Sequence, residues 1–283
     1  MFFSRGLVLC MMSRIRAGRP GPLTGAAKVM QLVDTHCHID VEEFAHDRQE
    51  VLERAHAAGV CTLVVPSIGA FNWAAVHAVC ERHPGLYPAY GLHPVYAARH
   101  HPEDVARLDA WLGEHAAVAV GEIGLDHYVP DADRARQRTL FEAQLEVAAQ
   151  RDLPVLLHVR KAHDEVLACL RGRRLRGGIV HAFNGSLQQA ERYLDLGFRF
   201  GFGGMLTHPR SRHLRMLATR LPLEAIVLET DAPDLTGHAH RGARNEPAWL
   251  PEVLATLAEL RPEGAETIAA VTTRNAKECL GLP

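Results

Sequence analysis

The sequence predicts an α/β fold in which eight parallel strands close into a single (β/α)8 TIM barrel. Apolar segments alternate with helical patterns from residue 30 to the end of the chain, and such alternation is typical of a parallel sheet. Eight strand–helix units over roughly 250 residues match the usual size of a closed barrel. An open, doubly wound sheet is the alternative. No Gly-x-Gly-x-x-Gly motif follows the first strand, which counts against a dinucleotide-binding sheet.

The strands are predicted from short apolar runs of the kind that is buried on both faces. They are Met30–Val33, Val60–Val65, Leu86–Gly91, Ala117–Val120, Pro154–Leu157, Gly178–Val180, Phe198–Phe200 and Ala225–Leu228. Helices are predicted at Val41–Ala58, Trp73–Arg82, Glu103–His115 and Asp133–Arg151, between each later pair of strands, and from about Pro247 onward. The first of these helices is expected to stop at Gly59.

Charge and composition limit the kinds of partner that the protein can bind. The formal net charge of the 283 residues is -2, so tight nonspecific binding to duplex nucleic acid is not expected. A net charge of this size is compatible with a local basic pocket. Six cysteines at scattered spacings predict free thiols in a reducing compartment, the cytoplasm. No run approaches the roughly 18 apolar residues of a membrane span, and we expect a monomer.

Residues 1–29 form a basic leader that we predict to lie outside the folded domain. It contains five basic residues and no acidic one, and most of its charge follows its apolar patch at residues 7–12. A signal peptide has the opposite order, whereas a transit peptide shares this composition. We interpret the leader as a disordered tail, or as an over-called start, meaning that translation would begin at Met30. The single barrel domain is predicted at residues 30–283.

Two histidines, His36 and His38, follow the first predicted strand. In extended backbone successive side chains alternate between faces, so these imidazoles point one way and Cys37 points the other. Asp34 falls on the histidine face. Neutral imidazole is a common ligand of divalent metals. The alternative is a hydrogen-bonded pair of surface histidines where a strand meets a loop.

Polar residues also follow or end five of the other strands. They are His93 after the third strand, Glu122 at the fourth, His158 at the fifth, His181 at the sixth and Asp231 at the eighth. The carboxyl ends of barrel strands meet on one face, so these side chains are predicted to converge. A single histidine after a strand is more often an ordinary loop residue than a metal ligand. Together, so many imidazoles and carboxylates would be costly to bury without a cation.

The set is large enough for two divalent ions, since zinc and similar ions accept imidazole nitrogen and carboxylate oxygen. The predicted ligands are His36, His38 and Asp231 for one ion, His158 and His181 for the other, and Glu122 as the bridge. Two ions about 3.5–4 Å apart form a clamp for the hydrolysis of phosphate esters. The predicted catalytic residues are Glu122 and Asp231, the latter as a general base toward the attacking water.

Seven motifs resemble, in their order, those of the TatD family of metal-dependent deoxyribonucleases. They are Asp34–His38, Gly91–Pro94, Gly121–Asp126, Leu153–Arg160, His181–Phe183, Glu229–Pro233 and Arg244–Pro247. The resemblance runs from Met30 to the C-terminus. It implies a barrel of the metallo-dependent hydrolase type and 3′→5′ deoxyribonuclease activity on single-stranded DNA ends, with two magnesium, manganese or zinc ions.

The resemblance also implies roles for individual residues. The metal positions are matched by His36, His38, Glu122, His158, His181 and Asp231, and the positions facing substrate phosphate are matched by His93, Arg160, Asn184 and Arg244. The competing interpretation of the two arginines is structural pairing with Asp126, Glu229 or Glu246. The chain departs from the family at His127, where an aromatic residue is usual, in the loop 234–241, and in the leader.

Two other functions stay open at this point. One is a metal-dependent amide or ester hydrolase, such as a D-aminoacyl-tRNA deacylase; the other is a non-catalytic metal-binding scaffold. Many amidohydrolases bridge their metals with a carboxylated lysine, and the three lysines are Lys28, Lys161 and Lys277, none of which ends the fourth strand. Glu122 stands there instead, which favours the nuclease.

Overall fold

The computed structural model of the chain describes residues 30–283, which form the predicted barrel of eight parallel strands. The leader at residues 1–29, predicted to be a disordered tail or an over-called start, lies outside the described residues. The strands are β1 Leu32–Asp34, β2 Val60–Pro66, β3 Leu86–Tyr90, β4 Ala119–Asp126, β5 Val155–Arg160, β6 Gly178–Val180, β7 Phe198–Phe202 and β8 Ile226–Leu228. They pair in chain order, and a hydrogen bond of 3.0 Å from Thr35 N–H to Leu228 O joins the ends of β1 and β8.

Helices follow the strands as predicted. They are α1 Arg48–Ala57, α2 Trp73–Arg82, α3 Asp104–Glu114, α4 Arg134–Gln150, α5 His163–Leu170, α6 Leu187–Leu194, α7 Arg212–Arg220, α8 Leu250–Leu260 and α9 Ala265–Leu280. Short 3-10 helices lie at Glu42–Phe44, Pro94–Arg99, Gly204–Thr207, Leu223–Ala225, His238–His240 and Pro247–Trp249. No helix in the range 30–283 is long and apolar enough to cross a membrane.

Two elements differ from the prediction. The helix expected at Val41–Ala58 is interrupted, because Arg48 donates hydrogen bonds to the carbonyls of Ile39, Asp40 and Val41 at 2.7–3.2 Å and holds the preceding loop across the start of α1. β4 continues six residues beyond its predicted end, since every side chain from Ala119 to Asp126 is buried. Glu122 therefore lies inside a strand instead of at its end.

A small apolar cluster and the last helix fill one end of the barrel. Seven strands each contribute one buried side chain, and α9 and the residues after it contribute Ala276, Leu280 and Leu282. Thr273 donates to Gln31 O just before β1, and Asn275 donates to Ile226 O at the start of β8. Because these carbonyls mark the beginnings of strands, α9 covers the amino-terminal end of the barrel. The carboxyl end is left for a site.

Candidate metal centre

The carboxyl ends of the strands surround a cavity of about 710 Å³, within the size range of small-ligand sites. Eight of the ten site residues predicted from the sequence line it: His38, His93, Glu122, His158, Arg160, His181, Asn184 and Asp231. His36 is buried directly against this group, with its Nε2 atom 3.0 Å from Glu122 Oε2. Arg244 is the one predicted site residue that lies apart from them.

Hydrogen bonds between the end of β1 and the segment after β8 bring the first three predicted ligands together. His38 N–H donates to Ala232 O, and Asp231 N–H donates to His36 O, both at 2.8 Å. Asp34 strengthens this connection, since Thr230 Oγ1 donates to its carboxylate at 2.5 Å. The buried Asp34 carboxylate thus faces Thr230 and not the imidazoles, and burial raises its pKa to about 7.

His36, His38 and Asp231 form one compact group of metal-binding atoms. The Nε2 atoms of both histidines lie 3.7 Å from Asp231 Oδ1. His38 Nδ1 lies 3.2 Å from the carbonyl oxygen of Pro66, which only accepts hydrogen bonds. The proton of His38 is therefore on Nδ1, and the Nε2 lone pair points toward Asp231.

Glu122 presents one carboxylate oxygen to each side of the cavity floor. Its Oε2 atom is 3.0 Å from His36 Nε2, and its Oε1 atom is 3.0 Å from His158 Nδ1 and 3.4 Å from His93 Nε2. Burial opposes ionisation of this carboxyl group, but the imidazoles of His36 and His93 outweigh it and hold the pKa of Glu122 well below its usual value. An ionised carboxylate with two separate sets of nitrogen neighbours is suited to bridge two cations.

The orientation of His158 depends on Asp126, which the sequence suggested only as a possible partner of an arginine. Asp126 Oδ2 lies 2.8 Å from His158 Nε2, and Asp126 Oδ1 accepts the N–H of Tyr128 at 2.8 Å. Burial disfavours the charged imidazole, yet the two carboxylates of Asp126 and Glu122 raise the pKa of His158 to about 9. The period-two spacing of Glu122, Gly124 and Asp126 along β4 is the signal that could have identified Asp126.

His181 is close to His36 and Asp231, and not to His158, with which it is predicted to share an ion. Its ring stacks on that of His36 with 3.7 Å between centroids, and its Nε2 atom is 3.6 Å from Asp231 Oδ2. Its Nδ1 atom lies 3.0 Å from Oε1 of Glu229, a carboxylate that also accepts the Ala182 N–H at 2.7 Å. Against the effect of burial, Glu229 and Asp231 raise the pKa of His181 well above its usual value.

His93, predicted to face substrate phosphate, lies among the candidate ligands themselves. Its Nε2 atom is 3.1 Å from His158 Nδ1. Burial lowers the pKa of His93 to about 4, so its imidazole is neutral and retains a nitrogen lone pair. The structure thus places His93, and not His181, beside His158.

The remaining predicted substrate residues have different surroundings. Arg160 is exposed at the cavity mouth with its guanidinium 3.7 Å from the centroid of the Tyr128 ring. Asn184 lines the cavity, and its Oδ1 atom is 3.2 Å from His163 Nε2. Arg244 forms a two-pronged ion pair with Asp47 at 2.6 and 2.8 Å.

The structural partner of Arg244 is therefore Asp47, which was not among the three carboxylates considered from the sequence. Two of those three are engaged elsewhere, Asp126 with His158 and Glu229 with His181. The third, Glu246, pairs with Arg54 at 2.6 Å. The phosphate-binding role of Arg244 stays a prediction, and it requires the guanidinium to leave Asp47 or to contact the substrate from there.

The donor geometry fits divalent ions. Three sets of side chains each have ligand atoms within 4.8 Å of one another: His36–His38–Asp231, His36–Glu122–His181 and His93–Glu122–His158. Ligands of a tetrahedral zinc ion lie roughly 3.4 Å from one another. The 3.7 Å separations around Asp231 Oδ1 are close to this value. Sites rich in imidazole suit zinc-like ions better than magnesium.

Comparison with known proteins places this arrangement in a family context. Residues 33–281 match the family model described as TatD related DNase. The uncharacterized metal-dependent hydrolase YjjV of Escherichia coli K12 is 42% identical over 258 residues, which cover 90% of this chain and 100% of the relative. The 3′-5′ ssDNA/RNA exonuclease TatD of Cronobacter sakazakii is 35% identical over 252 residues, which cover 87% of this chain and 96% of that protein.

Solved structures agree with the barrel. The crystal structure of the E. coli TatD homologue YjjV superimposes with a TM-score of 0.87 at 41% identity, covering 90% of this chain and 100% of the other. A TatD-family hydrolase from Entamoeba histolytica superimposes with a TM-score of 0.78 at 17% identity, covering 90% and 99%. The second likeness concerns the fold alone.

Proposed function

Because this chain belongs to the TatD family of metal-dependent hydrolases, we propose that it cleaves phosphodiester bonds at single-stranded DNA ends with two bound divalent ions. Membership of the family confirms the resemblance, the barrel and the hydrolase class predicted from the motifs. The observation that carries the proposal is the carboxylate of Glu122. Its two oxygens each lie 3.0 Å from a nitrogen of a different histidine, His36 on one side and His158 on the other.

We assign the ions to the six positions predicted from the sequence. His36, His38 and Asp231 would hold one ion, and Glu122 would bridge to the other. We keep His158 and His181 as ligands of that second ion, although His181 lies nearer to His36 and Asp231 than to His158. His93 is close enough to His158 to take part in the second set. When bound, the two ions would polarise the phosphate and lower the pKa of a water molecule toward neutrality.

Asp231 is the proposed general base. Burial opposes its ionisation, but His181 and its neighbouring imidazoles keep the pKa of Asp231 below the usual value. The carboxylate is therefore ionised near neutral pH, which is the state that a general base requires. Its Oδ1 atom faces His36 and His38 while its Oδ2 atom faces His181, so it stands between the proposed ligand groups.

Two carboxylates hold the histidines in the required orientation. Asp126 beside Nε2 of His158 leaves Nδ1 of that ring directed at Glu122, and Glu229 beside Nδ1 of His181 leaves Nε2 directed at Asp231. A hydrogen bond to one ring nitrogen determines which nitrogen keeps a lone pair for the metal. Both carboxylates are therefore proposed positioning residues.

Single-stranded ends are the proposed substrate because the cavity is a confined pocket and the chain has a net charge of -2. Duplex binding depends on many cationic contacts with phosphate, which such a charge does not favour. The name of the Cronobacter relative describes a 3′-5′ exonuclease on single-stranded DNA and RNA, which supports the same polarity here. Arg160, Asn184 and Arg244 are proposed to bind phosphate groups of the strand.

The proposed bridging residue is Glu122 and not a lysine, which argues against an amidohydrolase whose metals are bridged by a carboxylated lysine. In the described part of the chain, Lys161 is exposed beyond the end of β5 and Lys277 lies on α9 at the opposite end of the barrel. Glu122 occupies the floor of the cavity instead. The nuclease is accordingly the function that the site supports best.

The test uses a single-stranded 20-mer labelled at its 5′ end or at its 3′ end, incubated with the full chain and manganese, zinc or magnesium. We expect a descending ladder from the 5′ label, early release of mononucleotide from the 3′ label, and loss of both with chelator. A D-aminoacyl-tRNA or a simple amide serves as the competing substrate. Hydrolysis of that substrate with an intact oligonucleotide would refute the proposal.

A further inference from the structure

One half of the cavity mouth carries aromatic rings paired with cationic side chains. Tyr128, directly after β4, is 53% exposed. The Arg160 guanidinium lies 3.7 Å from the centroid of its ring, and Lys161 Nζ lies 4.7 Å from it. Arg160 also lines the cavity, so this group, which we call the Tyr128 platform, is continuous with the proposed metal centre.

The polar groups of the Tyr128 platform have no side-chain partner among the described residues. Within residues 30–283, no other side chain forms a hydrogen bond or ion pair with the Arg160 guanidinium, the Lys161 ammonium or the Tyr128 hydroxyl. Both cations are exposed. In the described part of the chain, neither positive charge therefore has an ion-pair partner at this side of the cavity mouth.

The platform is also held in a fixed position relative to the candidate ligands. Asp126 Oδ1 accepts the N–H groups of Tyr128 and Val129 at 2.8 and 3.2 Å, while Asp126 Oδ2 contacts His158 at 2.8 Å. His127 N–H donates to Arg160 O at 2.9 Å, which ties the loop after β4 to the end of β5. One carboxylate therefore positions both a candidate ligand and the aromatic ring.

The opposite half of the mouth carries apolar and acidic side chains. Exposed Met205 and Leu235 follow β7 and β8, and the acidic Glu43 and Asp234 line the same side. On the platform side, a second cation–aromatic pair adds to the first, with the Arg99 guanidinium 3.9 Å from the ring centroid of Phe71. A polyanion with aromatic bases matches the half formed by the loops after β2 to β5 and not the acidic half.

We propose that the Tyr128 platform is a nucleotide subsite, in which the base of the nucleotide adjoining the scissile phosphate stacks on Tyr128. Arg160 and Lys161 would bind the next phosphate of the strand. Aromatic stacking together with cationic contacts to the backbone is how proteins hold single strands without reading sequence. The inference rests on the proposed nuclease function and adds the residues that receive the strand and the half of the mouth over which it leaves.

The main test compares wild type, Tyr128→Ala and Tyr128→Phe on a single-stranded 12-mer and on bis(p-nitrophenyl) phosphate, a small diester that has no nucleobase and no second phosphate. Tyr128→Ala should lower kcat/KM for the 12-mer roughly five- to hundredfold, the usual effect of losing one stacked base. It should leave the small diester unaffected, and Tyr128→Phe should behave as wild type. Equal loss on both substrates would make Tyr128 a structural residue and overturn the subsite.

A modified substrate identifies the base that stacks. An abasic nucleotide next to the scissile bond should lower wild-type cleavage by about the factor that Tyr128→Ala causes, and it should add little to the defect of that variant. Additive losses would show that the base and the ring do not interact.

Arg160→Ala should reduce the salt dependence of 12-mer cleavage, because it removes a contact between a cation and a phosphate. Arg138→Ala is the matched control, since Arg138 pairs with Glu142 on the outer helix α4.

Binding separates failure of the subsite from failure of the proposed function. With chelator present, the dissociation constant of a fluorescent 12-mer should rise for Tyr128→Ala and stay unchanged for Tyr128→Phe. If the wild type binds in this way but does not hydrolyse the 12-mer with metal, the subsite stands and the nuclease proposal is wrong. If the wild type cleaves the 12-mer and Tyr128→Ala binds and cleaves equally well, the subsite is wrong and the nuclease proposal stands.

Discussion

Asp126 Oδ2 lies 2.8 Å from His158 Nε2, and the same carboxylate accepts two backbone N–H groups of the loop that follows β4. The first contact leaves His158 Nδ1 facing Glu122 Oε1 at 3.0 Å. Asp126 thus connects the loop after β4 to a candidate ligand on β5. This relationship leads to the first prediction.

Asp126→Asn should lower metal-dependent hydrolysis by about ten- to a hundredfold, because the carboxylate that orients the imidazole is lost. The affinity for the activating metal should fall as well, while the circular dichroism spectrum stays unchanged. Measuring kcat/KM at increasing metal concentrations gives both the activity and the metal affinity. Asp109→Asn is the control, since Asp109 pairs with Arg151 on the outside of the barrel. An Asp126→Asn enzyme with full activity would remove this residue from the site.

Gly201→Ala should impair the site without altering any candidate ligand. A methyl group at this position would lie 2.0 Å from Oε2 of the buried Glu229, so the carboxylate must move away from His181. We expect a loss of activity and of metal affinity with a cooperative thermal transition retained. Gly264→Ala is the control, because a methyl group there meets no atom within 4 Å. Equal behaviour of the two variants would show that Glu229 does not position His181.

Arg244 and Asp47 can be assigned by comparing single and double variants. If Arg244 only supports the scaffold, Arg244→Ala and Asp47→Ala should lower the Tm by similar amounts, the double variant should add little, and low-temperature hydrolysis should stay normal. If Arg244 binds phosphate, Arg244→Ala alone should lower kcat/KM, and Asp47→Ala should leave kcat/KM intact because it frees the guanidinium. Paired melts and kinetics on an oligonucleotide distinguish the two roles.

Metal binding should stabilise the folded chain. An ion at a hundred times its Kd adds about 2.7 kcal/mol to the free energy of unfolding when the unfolded chain does not bind it. For a protein of this size that corresponds to a rise in Tm of several degrees, at roughly 2–4 °C per kcal/mol. His36→Ala should abolish most of the rise in Tm, since His36 belongs to two of the three candidate groups. A Tm independent of zinc, manganese and chelator would contradict the site.

Much of this architecture follows from strand periodicity. Apolar runs identified all eight strands, and the rule that carboxyl ends of strands converge brought His36, His38, Glu122 and Asp231 into one group, as the structure shows. That these residues bind metal stays a prediction. The rule places the ends of strands and not the rotation of side chains, so it could not show that the imidazole of His93 lies beside that of His158.

Supporting contacts were harder to predict. Asp126 and Glu229 are buried against histidines. Apart from the period-two spacing that places Asp126 on the same face as Glu122, their local sequence does not show which histidine each one contacts. The Asp47–Arg244 pair joins residues 197 positions apart, and such a contact is decided by tertiary packing. The extent of β4 depends similarly on burial, since a polar residue such as Glu122 inside a strand interrupts the apolar pattern by which strands are recognised.

The central claim is that Glu122 bridges two ions. Its most direct test is the metal content per chain of the wild type and of Glu122→Gln, measured by mass spectrometry after dialysis against zinc or manganese, with hydrolysis followed on the same samples. We expect two ions per chain for the wild type. For Glu122→Gln we expect at most one ion and no hydrolysis, because the neutral amide no longer compensates the charge of two neighbouring cations. A variant that keeps two ions and near-normal hydrolysis would contradict the bridging role.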